Sequence, residues 1–481
     1  MNRPHLLIGG QWSSPRDGGE IEVVSPVTEQ VIGRAAAASG ADMDRAVRSA
    51  RQAFEGGAWR DTTPAERGAI LTRAADVLAG READMSVLIT SENGSPVALA
   101  AALQVGPVME ILRFYGELAR TFVFEHRLAD ENGSTLITME PAGVVAAVVP
   151  WNAPLLIAAA KIAPAIVAGC AVVLKPAPET PLSAYLLAEA LYEAGLPPGV
   201  LSVVPAGREA SEHLIAHPGV DKVSFTGSSA TGRRVMTVAA DGIKRVTLEL
   251  GGKSAAIVLD DADLDAMVPA LVTGAMTLSG QICVAQTRIL APRSHYDEVV
   301  RAVSDAARSQ VVGDPSAPST WVGPLVAERQ RERVEGYLRL GQQEGAKIAT
   351  GGGRPPHRHT GWYVEPTVFY DVRNSMRIAR EEIFGPVLCV IPYDDEDDAV
   401  RLANDSDFGL YGGVWTGDED RGLAVARRIR AGTVNINAGT PARGTPSGGF
   451  KQSGMGRELG AEGLAEYLES RSIVGRVTRE R

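Results

Sequence analysis

Between residues 143 and 250 the chain alternates five short β-branched or apolar runs with Ala-rich stretches, and this alternation constrains the fold more than any other feature. Residues 143–149 (GVVAAVV) read as a buried strand ending at Pro150. Residues 152–168 carry Ala, Leu and Ile on nearly every face, as a buried helix does, and Gly169 closes them. Further strands are expected over 171–174, 201–204, 222–226 and 245–249, with helices over 181–194, 209–217 and from 231 onward. Right-handed crossovers join such strands into an open, mostly parallel, Rossmann-like sheet, so the fold class is α/β. A second α/β run extends from about Gly252 to about Gly444, with strands over 255–259, 288–291 and 387–393. Within it, a helix over 263–279 precedes Gly280-Gln281-Ile282-Cys283. Residues 41–131 are helical and amphipathic, with Glu66 and Arg73 on polar faces. Residues 134–140 and 472–478 each look like a solitary strand. A solitary strand is not stable, so each must pair elsewhere, and another subunit is one candidate partner.

A chain of 481 residues is long enough for two or three cores. Its formal charge of −10, without any run of five basic residues, argues against a nucleic-acid partner. The longest apolar stretch, 153–174, is broken by Lys161, Pro164 and Gly169 and does not read as a membrane span. Residues 1–11 lack the apolar core of a signal peptide. Three cysteines make no disulfide framework, so a reducing, cytoplasmic setting is expected.

A few residues stand out chemically. Cys283 follows a helix and two polar or flexible residues, where backbone N–H groups can be free. A thiolate is a strong nucleophile when a nearby helix N-terminus lowers its pKa; the plainer reading is a buried structural cysteine. Cys170 and Cys389, in apolar surroundings, read as core. Glu249 interrupts the strand Val246-Thr247-Leu248-Glu249-Leu250 at its carboxyl end, where α/β sheets bind ligands and an acid could serve as general base. An exposed strand-end acid is the commoner case. Asn152, after Pro150-Trp151, has an amide able to hold an oxyanion, but locally a helix N-cap is the better reading. Phe225-Thr226-Gly227-Ser228, with Gly232 further on, is a strand–turn–helix able to receive a phosphate, though it is not GxGxxG. Lys175 sits at a strand end, either facing a ribose or phosphate or simply solvated. No metal is expected: the seven histidines are scattered, and His357 and His359 lie in a Gly/Pro-rich loop without a nearby Cys.

Taken in order, Pro150-Trp151-Asn152, Leu174-Lys175-Pro176, Phe225-Thr226-Gly227-Ser228, Leu248-Glu249-Leu250-Gly251-Gly252-Lys253, Gly280-Gln281-Ile282-Cys283, Glu381-Glu382-Ile383-Phe384-Gly385-Pro386 and Gly448-Gly449-Phe450-Lys451-Gln452-Ser453-Gly454 resemble the aldehyde dehydrogenase superfamily over essentially the whole chain. The resemblance implies an NAD(P)-binding domain (1–122 and 142–250), a catalytic domain (251–446) and oligomerisation strands (123–141 and 460–481). It also implies a homodimer or homotetramer and a small-molecule aldehyde as substrate. Cys283 resembles the nucleophile, Asn152 the oxyanion donor and Glu249 the base that activates water. Lys161 and Glu458 match accessory proton-relay positions. For the cofactor, Lys175 resembles the ribose-binding lysine, Gly227 and Ser228 the pyrophosphate turn, and Glu382 and Phe384 the groups at the nicotinamide ribose. Val149, Pro150, Trp151, Pro178, Glu179, Gly207, Phe225, Thr226, Gly232, Leu250 and Gly251 complete the expected cofactor site.

Two departures from the family pattern matter. Many NAD-preferring members carry a Glu three residues after the lysine. Here that residue is Pro178, and the acid is Glu179. NAD is the expected cofactor, with NADP the second candidate. In the substrate tunnel, Ala153, Ala160 and Ser447 are small where some members have aromatics. With Ile157 and Ile282 they imply a wide tunnel for bulky apolar or aromatic aldehydes. Arg443 would stand at its mouth and favour an anionic substrate. The competing readings are a coenzyme A-acylating relative, which often lacks the Glu249 position, and a catalytically silent relative. Phosphorylating oxidation would need a Cys/His pair, and no histidine lies within ten residues of Cys283.

Overall fold

The computed structural model describes residues 1–129 and 133–475. Five parallel strands, β1 (Val144–Val148), β2 (Ala171–Lys175), β3 (Leu201–Val203), β4 (Lys222–Thr226) and β5 (Arg245–Glu249), form the middle of an eight-stranded sheet. Their spatial order is 5-4-1-2-3, with antiparallel Gly454–Met455 beyond β5 and Leu6–Ile8 and Gln11–Ser13 beyond β3. The apolar runs are continuous because both faces are covered. In β1, Val145 and Ala147 enter one core, while Val144, Ala146 and Val148 enter the core on the opposite face. Helix Pro154–Ala168 joins β1 to β2 and ends at Gly169, whose φ of 95° a side chain would oppose. Leu182–Glu193, Arg208–Ala216 and Ser229–Asp241 make the remaining connections. Since β1 lies between β2 and β4, the chain reverses its progression across the sheet at β1. In open α/β sheets the crevice outside the strand ends at such a point is where ligands bind.

A second, seven-stranded sheet runs in the order Lys347–Thr350, Thr367–Tyr370, Val387–Tyr393, Arg288–Pro292, Ala255–Val258, Tyr411–Trp415, Thr433–Ile436. All its neighbours pair parallel except the first two. The amphipathic N-terminal stretch folds as Gly40–Glu55, Pro64–Ala79, Glu82–Asn93 and Gly106–Thr121. Glu66 is not simply solvated: it closes a capping box with Thr63. The run Val97–Thr121 is a second apolar stretch to weigh beside 153–174, since its length and composition would let it cross a membrane. Here it packs on Pro64–Ala79 and Pro154–Ala168 and buries Val105, Val108, Leu112 and Tyr115 in the core.

The two solitary strands find each other. Leu468–Gly475 pairs antiparallel with Ser134–Pro141, from Leu468 opposite Pro141 to Gly475 opposite Ser134, and Glu125–Ala129 forms the other edge. Within the chain, therefore, neither needs a second subunit for its pairing. Residues 460–465 are helical (Gly460–Ala465) rather than extended, and residues 476–481 of the expected terminal strand lie outside the described residues.

Candidate active site

Cys283 sits on a loop shaped by backbone conformation. After helix Leu264–Met276 the chain passes through Leu278, Ser279 and Gly280 at φ of 51°, 59° and 71°. Leu278 and Ser279 carry side chains and are strained in this left-handed region, so their neighbours must hold them, whereas Gly280 adopts it freely. Ser279 Oγ donates to the Gly323 carbonyl at 2.9 Å. The buried Gln281 side chain donates to the Leu278 carbonyl at 3.0 Å and accepts from the Val326 N–H at 3.0 Å. A Cβ on Gly280 would collide with the carbonyl oxygen of Gly385. Helix Leu264–Met276 precedes Cys283 in the chain, so the end it brings nearest in sequence is its C-terminus, which does not favour a thiolate. Burial, with the charges of Glu382 and Glu249, pushes the thiol up to about 12, and the Cys283 and Val284 N–H groups only partly offset this.

Asn152 is not an N-cap. The helix starts at Pro154 with Ala153 as its cap residue, and no side chain caps it. Asn152 Nδ2 instead donates to the Gln281 carbonyl at 3.0 Å, while Asn93 Nδ2 donates to the Asn152 carbonyl at 3.1 Å. One amide hydrogen of Asn152 anchors the Cys283 loop through Gln281, and the amide carries a second for another acceptor. Asn152 and Cys283 line one cavity of about 220 Å³ with Pro150, Trp151, Thr226 and Gly251. The Trp151 and Phe384 rings meet edge-on in its wall, 5.4 Å apart at 80°.

Glu249 ends β5 with 8% exposure, so the exposed strand-end reading fails. Its Oε1 has no hydrogen-bond partner. Burial first, then the charge of Glu458, pushes its pKa up to about 8 against Lys161 and Arg457. Lys161, fully buried, pairs with Glu458 and donates to Ser224 Oγ at 3.2 Å. Glu458 is fixed in turn by Ser447: the two exchange backbone hydrogen bonds of 2.7 and 2.8 Å.

A second cavity, about 710 Å³, lies on the other side of the carboxyl end of β4. Lys175, Pro178, Gly207, Phe225 and Arg208 help line it. Glu382 Oε1 accepts from the Gly252 N–H at 2.9 Å, and burial raises its pKa to about 7.

The profile of the Aldehyde dehydrogenase family matches residues 12–473. The chain belongs to the aldehyde dehydrogenase family. It is 46% identical to the geranial dehydrogenase of Castellaniella defragrans over 474 residues, 98% of this chain and 99% of that one. It is 44% identical to a 3-succinoylsemialdehyde-pyridine dehydrogenase of a Pseudomonas species, over 98% of both chains. The crystal structure of a Mycobacterium tuberculosis aldehyde dehydrogenase complexed with NAD+ superposes with a TM-score of 0.98 at 46% identity, covering 100% of both chains. A C291A mutant of aldehyde dehydrogenase C from Pseudomonas syringae, complexed with NAD+ and octanal, gives 0.95 at 43% identity, covering 99% of this chain and 98% of that one.

In this aldehyde dehydrogenase most expected cofactor residues line the two cavities: Pro150, Trp151, Thr226, Gly227, Ser228, Leu250, Gly251, Glu382 and Phe384 the first, and Lys175, Pro178, Gly207 and Phe225 the second. Val149, Glu179 and Gly232 line neither. Gly232 acts by closeness instead, since a Cβ there would come within 2.6 Å of Leu250 Cδ2. Glu179 pairs with Arg329. Of the expected tunnel residues, Ile157 lines the cavity at Cys283; Ala153, Ala160, Ile282 and Ser447 do not. Arg443 is paired with Glu117 at 3.3 Å and stacks over Phe114. Gln330 and Arg333, which line the first cavity, and Arg208 and Arg329, which line the second, carry no sequence signal. Nor does Asn93, 59 residues from its partner Asn152. Among the described residues no group of three His, Cys, Asp or Glu side chains could hold a metal.

Proposed function

We propose that this enzyme oxidises bulky apolar or aromatic aldehydes to carboxylic acids with NAD+, through a thioester on Cys283 that water hydrolyses. The observation that carries the reading is that Cys283 and Asn152 line one crevice at the sheet's reversal point, with the buried Glu249 carboxylate near enough for its charge to act on the thiol. The crevice fits a dinucleotide: two cavities flank the end of β4, one beside the nucleophile and one at Lys175. Pro150, Trp151, Gly227, Ser228 and Phe384 would hold the nicotinamide half, and Lys175, Gly207 and Phe225 the adenosine half. NAD+, when bound, supplies the hydride acceptor.

The chain's own groups act on either side of that transfer. Cys283 Sγ adds to the aldehyde carbon once its proton has left, giving a thiohemiacetal. The second Asn152 amide hydrogen and the Cys283 N–H hold the oxyanion, which costs no reorganisation because both are already fixed. After oxidation the same donors hold the thioester oxygen. Glu249 takes a proton from water as that water attacks, and Cys283 leaves as a thiolate. Lys161 and Glu458 stand behind Glu249 and set its pKa in opposite directions. An intact Glu249 favours water over coenzyme A as acceptor.

The geranial and pyridine-bearing aldehydes named for two relatives support a bulky substrate, and Ile157 is the expected tunnel residue that lines the cavity at Cys283. Reduced-cofactor formation with acetaldehyde, octanal, citral and benzaldehyde tests this, with Cys283→Ala as the inactive control. A strong preference for acetaldehyde in kcat/KM sinks the substrate reading. Turnover that survives in Cys283→Ala sinks the mechanism. On the same reading the enzyme works as a homodimer or homotetramer, and light scattering of the eluted protein decides between them.

A further inference from the structure

We propose that Asn93 is a positioning residue for the oxidation step. On the reading that Asn152 is an oxyanion donor, Asn93 sets where that donor stands relative to Cys283.

The two oxyanion donors come from different parts of the fold. Asn152 lies between β1 and helix Pro154–Ala168, in a stretch that is neither strand nor helix. Cys283 lies on the loop before Arg288–Pro292 of the second sheet. Donors of this kind must be held to within about 0.5 Å of their working geometry, and an irregular stretch does not hold itself.

Asn93 supplies the hold. It ends helix Glu82–Asn93 and is 3% exposed. Its Nδ2 donates to the Asn152 carbonyl at 3.1 Å and, more weakly, to the Trp151 carbonyl at 3.4 Å. The amide is itself fixed. Its Oδ1 accepts the Ser95 N–H at 3.0 Å, which leaves the nitrogen facing Asn152, and the buried Gln104 amide donates to Ser95 Oγ at 3.0 Å. Asn93 does not line the cavity at Cys283, so it acts through Asn152 and not on the substrate.

The same corner meets the segment that braces the nucleophile loop. Gly94 turns at a φ of 78°, and a Cβ there would come within 2.7 Å of Pro324 Cγ. A Cβ on Gly323 would lie 2.2 Å from the Gly94 carbonyl oxygen. The Gly323 carbonyl accepts Ser279 Oγ, and the Val326 N–H donates to the Gln281 side chain. These contacts close into a ring. Asn93 holds the Asn152 backbone, the Asn152 amide holds the Gln281 carbonyl, Ser279 and Gln281 hold residues 323–326, and Gly323 and Pro324 pack on Gly94. Its bond to Gln281 fixes one end of Asn152, and Asn93 fixes the other.

The test is a double-substitution cycle on the intact enzyme, Asn93→Ala, Asn152→Ala and the pair, with folding checked by circular dichroism. Stopped-flow single turnovers, with enzyme in excess over octanal and NAD+ saturating, give the maximal oxidation rate and the half-saturating concentration separately. Asn93→Ala is expected to lower the maximal rate by about tenfold to a hundredfold, the cost of misplacing a group by about 1 Å, and to change the half-saturating concentration by less than about twofold. In the Asn152→Ala enzyme the same substitution should cost less than about twofold, because the donor it positions is gone. Asn93→Asp keeps the shape and the acceptor for Ser95 but gives up the amide hydrogens, and it should fall with Asn93→Ala. Equal losses with and without Asn152 overturn the proposal, as does a half-saturating concentration that rises as far as the rate falls. A maximal rate that neither Asn93 variant lowers also overturns it. A full rate in Asn152→Ala itself overturns the oxyanion reading, and the proposal with it.

Discussion

Replacing Glu249 by Gln separates the two halves of the reaction. Glu249 ends β5 with a buried carboxylate whose pKa is raised to about 8 by burial and by Glu458. If the ionised form takes a proton from water, hydrolysis follows the fraction ionised. With a pKa of about 8, that fraction rises about ninefold from pH 6 to 7, about fivefold from 7 to 8 and about twofold from 8 to 9. The sign is that of a base: activity is lost as pH falls. The thiol of Cys283, pushed up to about 12, behaves differently, so bond formation at sulfur should keep accelerating past pH 9. Gln has nearly the same shape and cannot accept the proton, so hydrolysis should fall by about 10²–10⁴. Stopped-flow recording of the reduced cofactor reads both steps. Glu249→Gln should give a burst of about one equivalent per subunit followed by a near-stall, whereas the unaltered enzyme turns over steadily. Loss of the burst together with the steady rate would assign Glu249 to the first half-reaction. A steady rate in Glu249→Gln that still climbs from pH 6 to 8 would refute the base assignment.

Asn152→Ala should slow the burst by about 10²–10³, the usual cost of one oxyanion donor, with little change in KM. Lys161→Met leaves Glu458 charged and unpaired inside the protein and should cost about 3–5 kcal/mol in urea unfolding, whereas Lys161→Met with Glu458→Leu should recover much of that loss. Ser447→Phe should lower kcat/KM for citral relative to acetaldehyde by about tenfold or more if Ser447 borders the substrate route; equal losses for both aldehydes remove it from that route. Gly280→Ala should abolish the burst while the protein stays folded, because a φ of 71° and contact with Gly385 leave no room for a methyl group without moving Cys283.

The parallel sheet was readable because its signals are local. An apolar run that enters two cores, a polar or Gly-rich turn and an Ala-rich helix each depend on neighbours a few residues away. The expected strands 222–226 and 245–249 have the same ends as β4 and β5. Side-chain roles were harder to read. From its surroundings in the chain Asn152 looks like a helix cap, and only contact with Gln281, 129 residues away, gives its amide another task. The same limit held for the strands at 134–141 and 468–475, more than 300 residues apart, whose pairing no local pattern encodes.

The sequence by itself determined the α/β class, the order of the sheet's strands along the chain and the family, because these follow from periodicity and from short motifs in a set order. The tertiary structure decided the chemistry of the individual groups. Burial raised the pKa of Cys283 and Glu249, and the charges of Glu382 and Glu458 added to it. Glu458 became the partner of Lys161, and Glu179 that of Arg329. A side chain's type is fixed along the chain, but its dielectric surroundings and its neighbouring charges arise only when distant segments pack together.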